Sequence, residues 1–407
     1  MTDKHGIFAG LRVIDAATYI AAPAAATILS DFGADVIKVE PPGEGDPYRA
    51  LASQPGLPKS DHNYFWMLEA RNKRSVAIDL KHPEGRKTLH RMIPETDIFI
   101  TNMPLKVRHR LGIGYADLSP LNPKLIYASF TGYGERGAEM HKPGFDSTAW
   151  WARSGLMDQV RAEHGAAPAR SLPGMGDHMA AVSLFAAIAT ALYRRERTGK
   201  GGEVGSSLLA NGAWSNSCFV QAALSGAKFV ERPPRGKAGN ALSNHYLCGD
   251  DRWILLSVSI AQEQKSWPQF AACLGRPELA KDPRFATRPD RHTHAEMLIV
   301  ELDKAFLAKG ADAWQKILEA NGFAVSIVAR PTDTPDDAQM LATGVLVPMP
   351  GAGGRDMTVS SPFWLTDVAK VPARRAPDLG QHTDEVLRAN GLSASEIAAL
   401  RKAGAIG

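Results

Sequence analysis

The strongest constraint on the fold is a strand–helix–strand pattern in the first forty residues. Residues 11–15 form a short apolar run typical of a buried strand, and Pro23 can begin a helix that Gly33 ends. A second apolar run follows at residues 34–40. Two strands joined through a helix lie parallel with a right-handed crossover. The pattern therefore predicts a parallel sheet with helices packed on it.

The same alternation continues, so the first 200 residues are predicted to be α/β with a mostly parallel sheet. Further strands are expected at 75–80, 97–101 and 124–130, with a helix at 82–92. A chain of 407 residues exceeds one ordinary core, so a second domain is expected. We predict a large domain at 1–224, a small α/β domain at 225–330 and a segment at 331–407 that returns to the large domain.

Within the small domain, the pattern predicts a strand at 253–259 and helices at 264–274 and 296–321. The tail is expected to hold short strands near 344–348 and 359–364 and a final helix at 394–402. The stretch 231–244 is rich in Pro, Gly, Arg and Lys and is typical of a linker or loop.

Composition excludes several classes of protein. The formal net charge is +4 with Lys and Arg dispersed, which disfavours a nucleic-acid partner. Cys218, Cys248 and Cys273 are far apart, so neither a disulfide framework nor a metal site is expected. No apolar signal segment opens the chain, and the apolar run 180–193 is too short to cross a bilayer. We predict a cytoplasmic protein without a membrane partner, with residues 180–193 as a buried helix.

The stretch Pro173–His178 (PGMGDH) places Asp177 at the start of that long helix, behind a turn with two glycines. An aspartate at an N-cap accepts backbone N–H bonds and interacts with the helix dipole, so it would remain ionised. A carboxylate beside free N–H groups can attack a thioester carbonyl, and the N–H groups can hold the resulting oxyanion. The alternative is that Asp177 only caps the helix.

The chain resembles the class III CoA-transferase family, of the formyl-CoA transferase and carnitine CoA-transferase type. The resemblance spans nearly the whole length and is carried by segments in family order: LRVIDAATYIAAPAAATILSDFGADVIKVEPPGEGDPYR, RNKRSVAIDLKHPEG, NPKLIYASFTGYGERG, GMGDHMAAVSLFAAIATALYRRERTGKGGEV and LAKDPRFATRPDRH. It implies a Rossmann-like large domain, a smaller domain, and two chains threaded through each other as an interlocked homodimer.

The resemblance also implies a reaction. Asp177 would attack an acyl-CoA to give a mixed anhydride and CoA thiolate, and the thiolate would then form an aspartyl-CoA thioester. A small carboxylic acid would receive the CoA by the reverse steps. The N–H groups of Gly174 and Gly176 are the candidates for holding the oxyanion. Coenzyme A is a substrate here, and neither a permanent cofactor nor a metal is expected.

The family's CoA contacts correspond here to residues spread over the first 111 positions. Lys73 and Arg110 would neutralise phosphate charge, although either can also be an ordinary surface cation. The loop 237–244 is a candidate for shielding the intermediate. The full set of candidate CoA-binding residues is Ile20, Ala21, Ala22, Lys73, Asn102, Met103, Arg110 and Leu111.

Other functions remain open. An α-methylacyl-CoA racemase needs a paired acid and base, and its Gly-His-Asp pattern is broken here by Phe145. His178 is a poor replacement because a residue after an N-cap points elsewhere on the helix. Asp146 is predicted to be an N-cap, and the Trp150–Trp151 pair is either core or cavity lining. A non-catalytic CoA-binding subunit is a further alternative. A dehydrogenase is disfavoured because no G-x-G-x-x-G follows the first strand.

Overall fold

The computed structural model describes residues 6–259 and 261–407. They divide into two compact units. The first unit extends to Gln159, continues over Arg170–Gly226 and includes Ala338–Gly407. The second consists of Val160–Ala169 and Ala227–Asp337.

The first unit is built on a six-stranded sheet whose strands are all parallel. The strand order is β3-β2-β1-β4-β5-β6, so the chain runs outward from β1 in one direction and then in the other. The predicted parallel α/β sheet is confirmed. The strands are β1 Arg12–Asp15, β2 Asp35–Glu40, β3 Arg74–Ala77, β4 Ile98–Thr101, β5 Ile126–Thr131 and β6 Gly202–Ser207.

Short antiparallel strands complete the β structure. The second unit has a three-stranded sheet in the order β7-β8-β9, and the C-terminal segment has a β10–β11 pair. These strands are β7 Ser243–Leu247, β8 Trp253–Ser257, β9 Val325–Ile327, β10 Leu346–Pro348 and β11 Met357–Val359.

Helices follow most strands, as the alternating pattern predicts. They are α1 Ala21–Asp31, α2 Tyr64–Ala70, α3 Pro83–Met92, α4 Leu105–Leu111, α5 Tyr115–Leu118, α6 Leu156–Gln159, α7 Met175–Thr198, α8 Leu208–Ser215, α9 Ser217–Leu224, α10 Glu263–Cys273, α11 Arg288–Thr293, α12 Ala295–Phe306, α13 Ala311–Ala320, α14 Ala338–Ala342, α15 Thr383–Ala389 and α16 Ala394–Lys402. A π-helix spans Asp146–Ala152.

Both faces of the parallel sheet are buried, which explains the continuous apolar strands. Val13 of β1 belongs to a core shared with α1 and α7, whereas its neighbour Ile14 belongs to a core on the opposite face. That second core includes Val386 of α15 and Ile397 of α16. The C-terminal helices therefore pack within the first unit.

Helix α7 differs from the prediction of a buried helix at 180–193. It is 24 residues long and, by length and composition alone, could cross a membrane. It packs on α1 and on the adjacent strands β5 and β6, and 39% of its most apolar stretch is buried. Met179 and Tyr193 on its other face are exposed. The predicted helix is therefore buried on one face only, because only that face meets the sheet.

The second unit has its own core, which includes Trp267, Phe306 and Trp314. The helical pattern predicted at 296–321 is in fact two helices, α12 and α13. Gly310 lies between them in an extended conformation and is the N-cap of α13.

Candidate active site

The candidate site is built on the first turn of α7. The sequence predicts Asp177 as the N-cap, but the N-cap is Gly174, whose φ of +75° favours glycine. The backbone N–H of His178 donates to the Gly174 carbonyl at 2.9 Å. A Cβ on Gly174 would lie 3.1 Å from Cδ1 of Ile20. Asp177 is therefore the third residue of the helix, and the turn is packed against the segment after β1.

Asp177 is not held ionised as a cap would be. The pKa of Asp177 is raised to about 7. Burial is the largest cause, the negative charges of Asp146 and Glu69 add to the rise, and the positive charge of His178 opposes it. The prediction of a carboxylate kept ionised by the helix end is wrong because desolvation and like charges dominate. Near neutral pH the side chain is therefore a poorly solvated carboxylate in balance with its acid.

Asp146 is a second carboxylate at this turn. The sequence predicts it as an N-cap, but Phe145 is the N-cap and Asp146 is the first residue of the π-helix. Oδ1 of Asp146 accepts the Ser147 N–H at 2.7 Å, whereas Oδ2 is buried with no hydrogen-bond partner among the described residues. Burial raises the pKa of Asp146, while the N–H groups of Ser147, Gly176 and Gly174 oppose the rise. The two glycine N–H groups predicted to hold an oxyanion thus face this carboxylate.

Gly176 is required by packing. A Cβ there would lie 2.6 Å from Cγ of Trp150, which is closer than any real contact. Trp150 stacks on Trp151 with ring centroids 5.7 Å apart, and both are buried in the core of the first unit. The two tryptophans are therefore core residues and not the lining of a cavity, and they lie directly beneath the start of α7.

His178 forms an ion pair that sequence reasoning missed. Its Nε2 lies 2.5 Å from Oε1 of Glu69, a residue of α2 whose side chain is 3% exposed. Burial lowers the pKa of His178, but the hydrogen bond and charge of Glu69 and the charge of Asp177 raise it above the ordinary value. Glu69 is the only charged residue in the helix sequence YFWMLEA. A carboxylate in such an apolar helix indicates a buried partner.

The turn after β1 is fixed by side chains. Oδ1 of Asn102 accepts the Thr18 N–H at 2.9 Å, and Nδ2 donates to the Thr18 carbonyl at 2.7 Å. Tyr19 has a φ of +62°, and its N–H donates to Oδ1 of Asp46 at 3.1 Å. The amide of Asn102, predicted to contact CoA, therefore positions this turn at the carboxyl ends of β1 and β4.

Ile20, Ala21 and Ala22 are buried where the turn enters α1. The helix begins at Ala21, two residues before the predicted start at Pro23, because proline is tolerated in a first helical turn. The contact between Ile20 and Gly174 brings this segment to the same place as Asp177.

Lys73 lies beneath that segment and is fully buried. Its Nζ donates to Oδ2 of Asp15 at 2.9 Å and to the Pro23 carbonyl at 2.7 Å, and burial lowers the pKa of the amine. The structure therefore gives Lys73 the task of tying α1 to β1, and its charge does not reach the surface where a phosphate would lie.

The other predicted CoA contacts are on or next to α4. Met103 follows β4 and is partly buried, and Leu111 is buried in the core. Arg110 and His109 are exposed in the last turn of α4, and Lys106 is exposed in its first turn. Lys106, His109 and Arg110 are spaced so that they share one side of the helix, and α4 therefore presents an exposed basic face.

The loop 237–244 lies in the second unit, where it joins a 3-10 turn at Arg235–Lys237 to β7. In the described ranges, no three His, Cys, Asp or Glu side chains come together as a metal site would require.

Comparison with known proteins agrees with this class of α/β fold. A CaiB/BaiF family protein from Brucella suis matches with a TM-score of 0.85 and 26% identity, over 95% of this chain and 100% of that one. A Mycobacterium tuberculosis protein matches with a TM-score of 0.78 and 25% identity, over 93% and 98%. The first unit and its six-stranded sheet are thus of the CaiB/BaiF type.

The family model for CoA-transferase family III matches residues 8–383. The chain belongs to this family and is a CoA-transferase, acting between acyl-CoA thioesters and carboxylic acids. It is 34% identical to (R)-2-hydroxy-4-methylpentanoate CoA-transferase of Clostridioides difficile, over 95% of this chain and 96% of the relative. It is 32% identical to cinnamoyl-CoA:phenyllactate CoA-transferase of Clostridium sporogenes, over 99% and 98%. It is 30% identical to succinyl-CoA:glutarate CoA-transferase of Mus musculus, over 93% and 85%. The racemase alternative is not favoured.

Proposed function

We propose that Asp177 is the nucleophile of the transfer. The observation that carries the proposal is a desolvated carboxylate with a pKa near 7, placed in the first turn of α7 beside the segment after β1. A carboxylate stripped of water is a better nucleophile than a hydrated one, and at neutral pH a large fraction of Asp177 is ionised.

The proposed steps balance without a proton donor or a redox partner. An Oδ atom of Asp177 attacks the thioester carbon, the C–S bond breaks, and its electron pair leaves on the CoA thiolate. The thiolate then attacks the Asp177 carbonyl carbon of the mixed anhydride and releases the donor carboxylate. The acceptor carboxylate attacks the aspartyl-CoA thioester, and the two steps run in reverse.

For coenzyme A we propose a path along the carboxyl edge of the sheet. The small residues Ala21 and Ala22 leave room at the start of α1, and the basic face of α4 with Arg110 would meet the phosphates. Lys73 would support this path indirectly, by holding the first turn of α1 on β1.

The charges at the nucleophile favour acids with a single carboxylate. The charged groups that act on Asp177 are the carboxylates of Asp146 and Glu69 and the one cation of His178. A second carboxylate on the substrate would be repelled there. We therefore propose a monocarboxylic acid, like those named for the 2-hydroxy-4-methylpentanoate and phenyllactate relatives and unlike the dicarboxylate named for the glutarate relative.

We propose a homodimer in the cytoplasm. Large apolar side chains are exposed on α7, α8 and α9, where Tyr193 is 63%, Trp214 79% and Leu224 77% exposed. Exposed apolar surface of this kind is typical of a protein interface, and a second copy of the chain can cover it. Three free cysteines fit a reducing compartment.

The test is one incubation in D₂O with a panel of acyl-CoAs and free acids, read by mass spectrometry of the CoA products. We expect new acyl-CoA species with the wild type and none with Asp177→Ala, while the surface variant Glu44→Gln behaves as the wild type. The panel pairs 4-methylpentanoate with glutarate, and we expect the monocarboxylate to be preferred. Deuterium at the α-carbon without CoA exchange would contradict the proposal and support a racemase.

A further inference from the structure

We propose that Glu69 fixes His178 as an imidazolium whose charge stabilises the anions formed at Asp177, the carboxylate and then the CoA thiolate. The inference rests on the proposed function of Asp177 and adds two residues to it. In this proposal Glu69 is a positioning residue, because it acts only through His178.

The geometry of the pair supports a doubly protonated ring. Nε2 of His178 lies 2.5 Å from the Glu69 carboxylate. On the other side of the ring, Nδ1 and Cε1 lie against the N-cap Gly174, whose backbone also favours the charged form of His178. The carboxylate at Nε2 and the backbone of Gly174 both favour the doubly protonated ring over the neutral one.

Burial makes the pairing obligatory for Glu69. Its side chain is 3% exposed, so a negative charge without a partner would be strongly disfavoured there. The His178 side chain is 44% exposed, which leaves its outer edge open to a bound substrate. The pair therefore keeps its negative end in the core and its positive end at the surface of the site.

Among the described residues, the charged groups that act on His178 are carboxylates, and none of them is a second cation. Asp177 follows Gly176 on α7, Asp146 faces the same turn from the π-helix, and Glu69 lies on α2. Tyr48 also lies near Glu69 and Asp177, and burial raises the pKa of its phenol, so it stays neutral. His178 thus supplies the positive charge at a site with three carboxylates.

The charge matters when the thioester C–S bond breaks. The negative charge then moves from the Asp177 oxygen to the sulfur of CoA, and the imidazolium attracts both anions without giving up a proton. A neutral His178 would leave the thiolate beside two carboxylates. We expect the loss of this charge to lower kcat about tenfold, as a single nearby charge in a partly exposed site does.

The first test is the Glu69→Gln variant, which preserves the shape and a hydrogen bond but removes the charge. We expect the pKa of His178, followed by NMR of ¹⁵N-labelled histidine, to fall, because the carboxylate charge that raises it has been removed. The alkaline limb of the kcat profile should fall with it, while kcat near pH 6 stays close to wild type. A uniform loss of activity at every pH would show a merely structural role and overturn the proposal.

Two further variants keep the test decisive. His178→Gln is expected to lower kcat about tenfold and to remove that alkaline limb, even if Glu69→Gln does not fold. Glu231→Gln is the matched control, because Glu231 pairs with His164 at 3.5 Å on the surface of the second unit, and it should change nothing.

Failure of this inference can be told apart from failure of the proposed function. If the wild type transfers CoA and both pair variants show wild-type pH profiles, the role of the pair is refuted while Asp177 stands. If Asp177→Ala retains full transfer activity, the proposed nucleophile is refuted. The NMR titration then still decides whether Glu69 holds His178 as a cation.

Discussion

Replacing Asp146 by asparagine removes one negative charge beside the proposed nucleophile. The new amide side chain can keep the hydrogen bond from the Ser147 N–H, because its Oδ1 remains an acceptor. Burial is the largest cause of the raised pKa of Asp177, and the charge of Asp146 is the next. The substitution should therefore lower the pKa of Asp177 without removing the nucleophile.

The size of the effect depends on how much of the rise one nearby like charge supplies. The pKa of Asp177 is raised from 3.8 to about 7, and we assign about one pH unit of the rise to Asp146. At pH 6 the ionised fraction would then grow from about 0.1 to about 0.5, and at pH 8 it would stay near 1. The expected kcat/KM of Asp146→Asn is about fivefold above wild type at pH 6 and nearly equal at pH 8.

The assay is the initial rate of CoA transfer between one acyl-CoA and one acid from pH 5 to 9. The acidic limb of kcat/KM should move down by about one pH unit in Asp146→Asn and stay in place in Glu44→Gln, a substitution of an exposed carboxylate. An acidic limb that does not move in Asp146→Asn would refute the electrostatic coupling between the two carboxylates.

Two further predictions concern the support of the site. Gly176→Ala drives a methyl group into the indole of Trp150. We expect a loss of about 1–3 kcal/mol in the free energy of unfolding and a fall in kcat/KM. Gly236→Ala is the control, because a methyl group at Gly236 meets no other atom among the described residues. Lys73→Met leaves the buried carboxylate of Asp15 with only its longer ion pair to Lys38. We expect urea unfolding to show a loss of about 3 kcal/mol in the free energy of unfolding. Lys87→Met removes an exposed ion pair with Glu84, and it should change the free energy of unfolding far less than Lys73→Met does. If the two lysine variants were equally stable, Lys73 would not be the residue that holds α1 on β1.

The sheet could be predicted from sequence because its signal is local. Each strand is a short apolar run, and the helix between two runs leaves a parallel pairing as the natural solution. The last helix, Ala394–Lys402, was likewise predictable, since Ser393 and Glu396 form a capping box. The break between α12 and α13 was missed because one apolar periodicity continues through Gly310.

The candidate site could be predicted only in part, because its contacts join distant segments. Asp177 was found from its glycine turn, but its place in the helix depends on the positive φ of Gly174. The contact between Glu69 and His178 joins residues 109 apart, and burial of Lys73 depends on Asp15, which is 58 residues away. A charge inside an apolar segment signals such a partner, but it does not say which residue that partner is.

The most direct test of the central claim is to look for the covalent intermediate on Asp177. The wild-type enzyme is mixed with an acyl-CoA and no acceptor acid, quenched in acid and digested, and the peptides are sequenced by mass spectrometry. We expect an adduct of CoA minus water on Asp177, which disappears when the acceptor acid is added and is absent in Asp177→Ala. An adduct on Asp146, or rapid transfer with Asp177 unmodified, would contradict it.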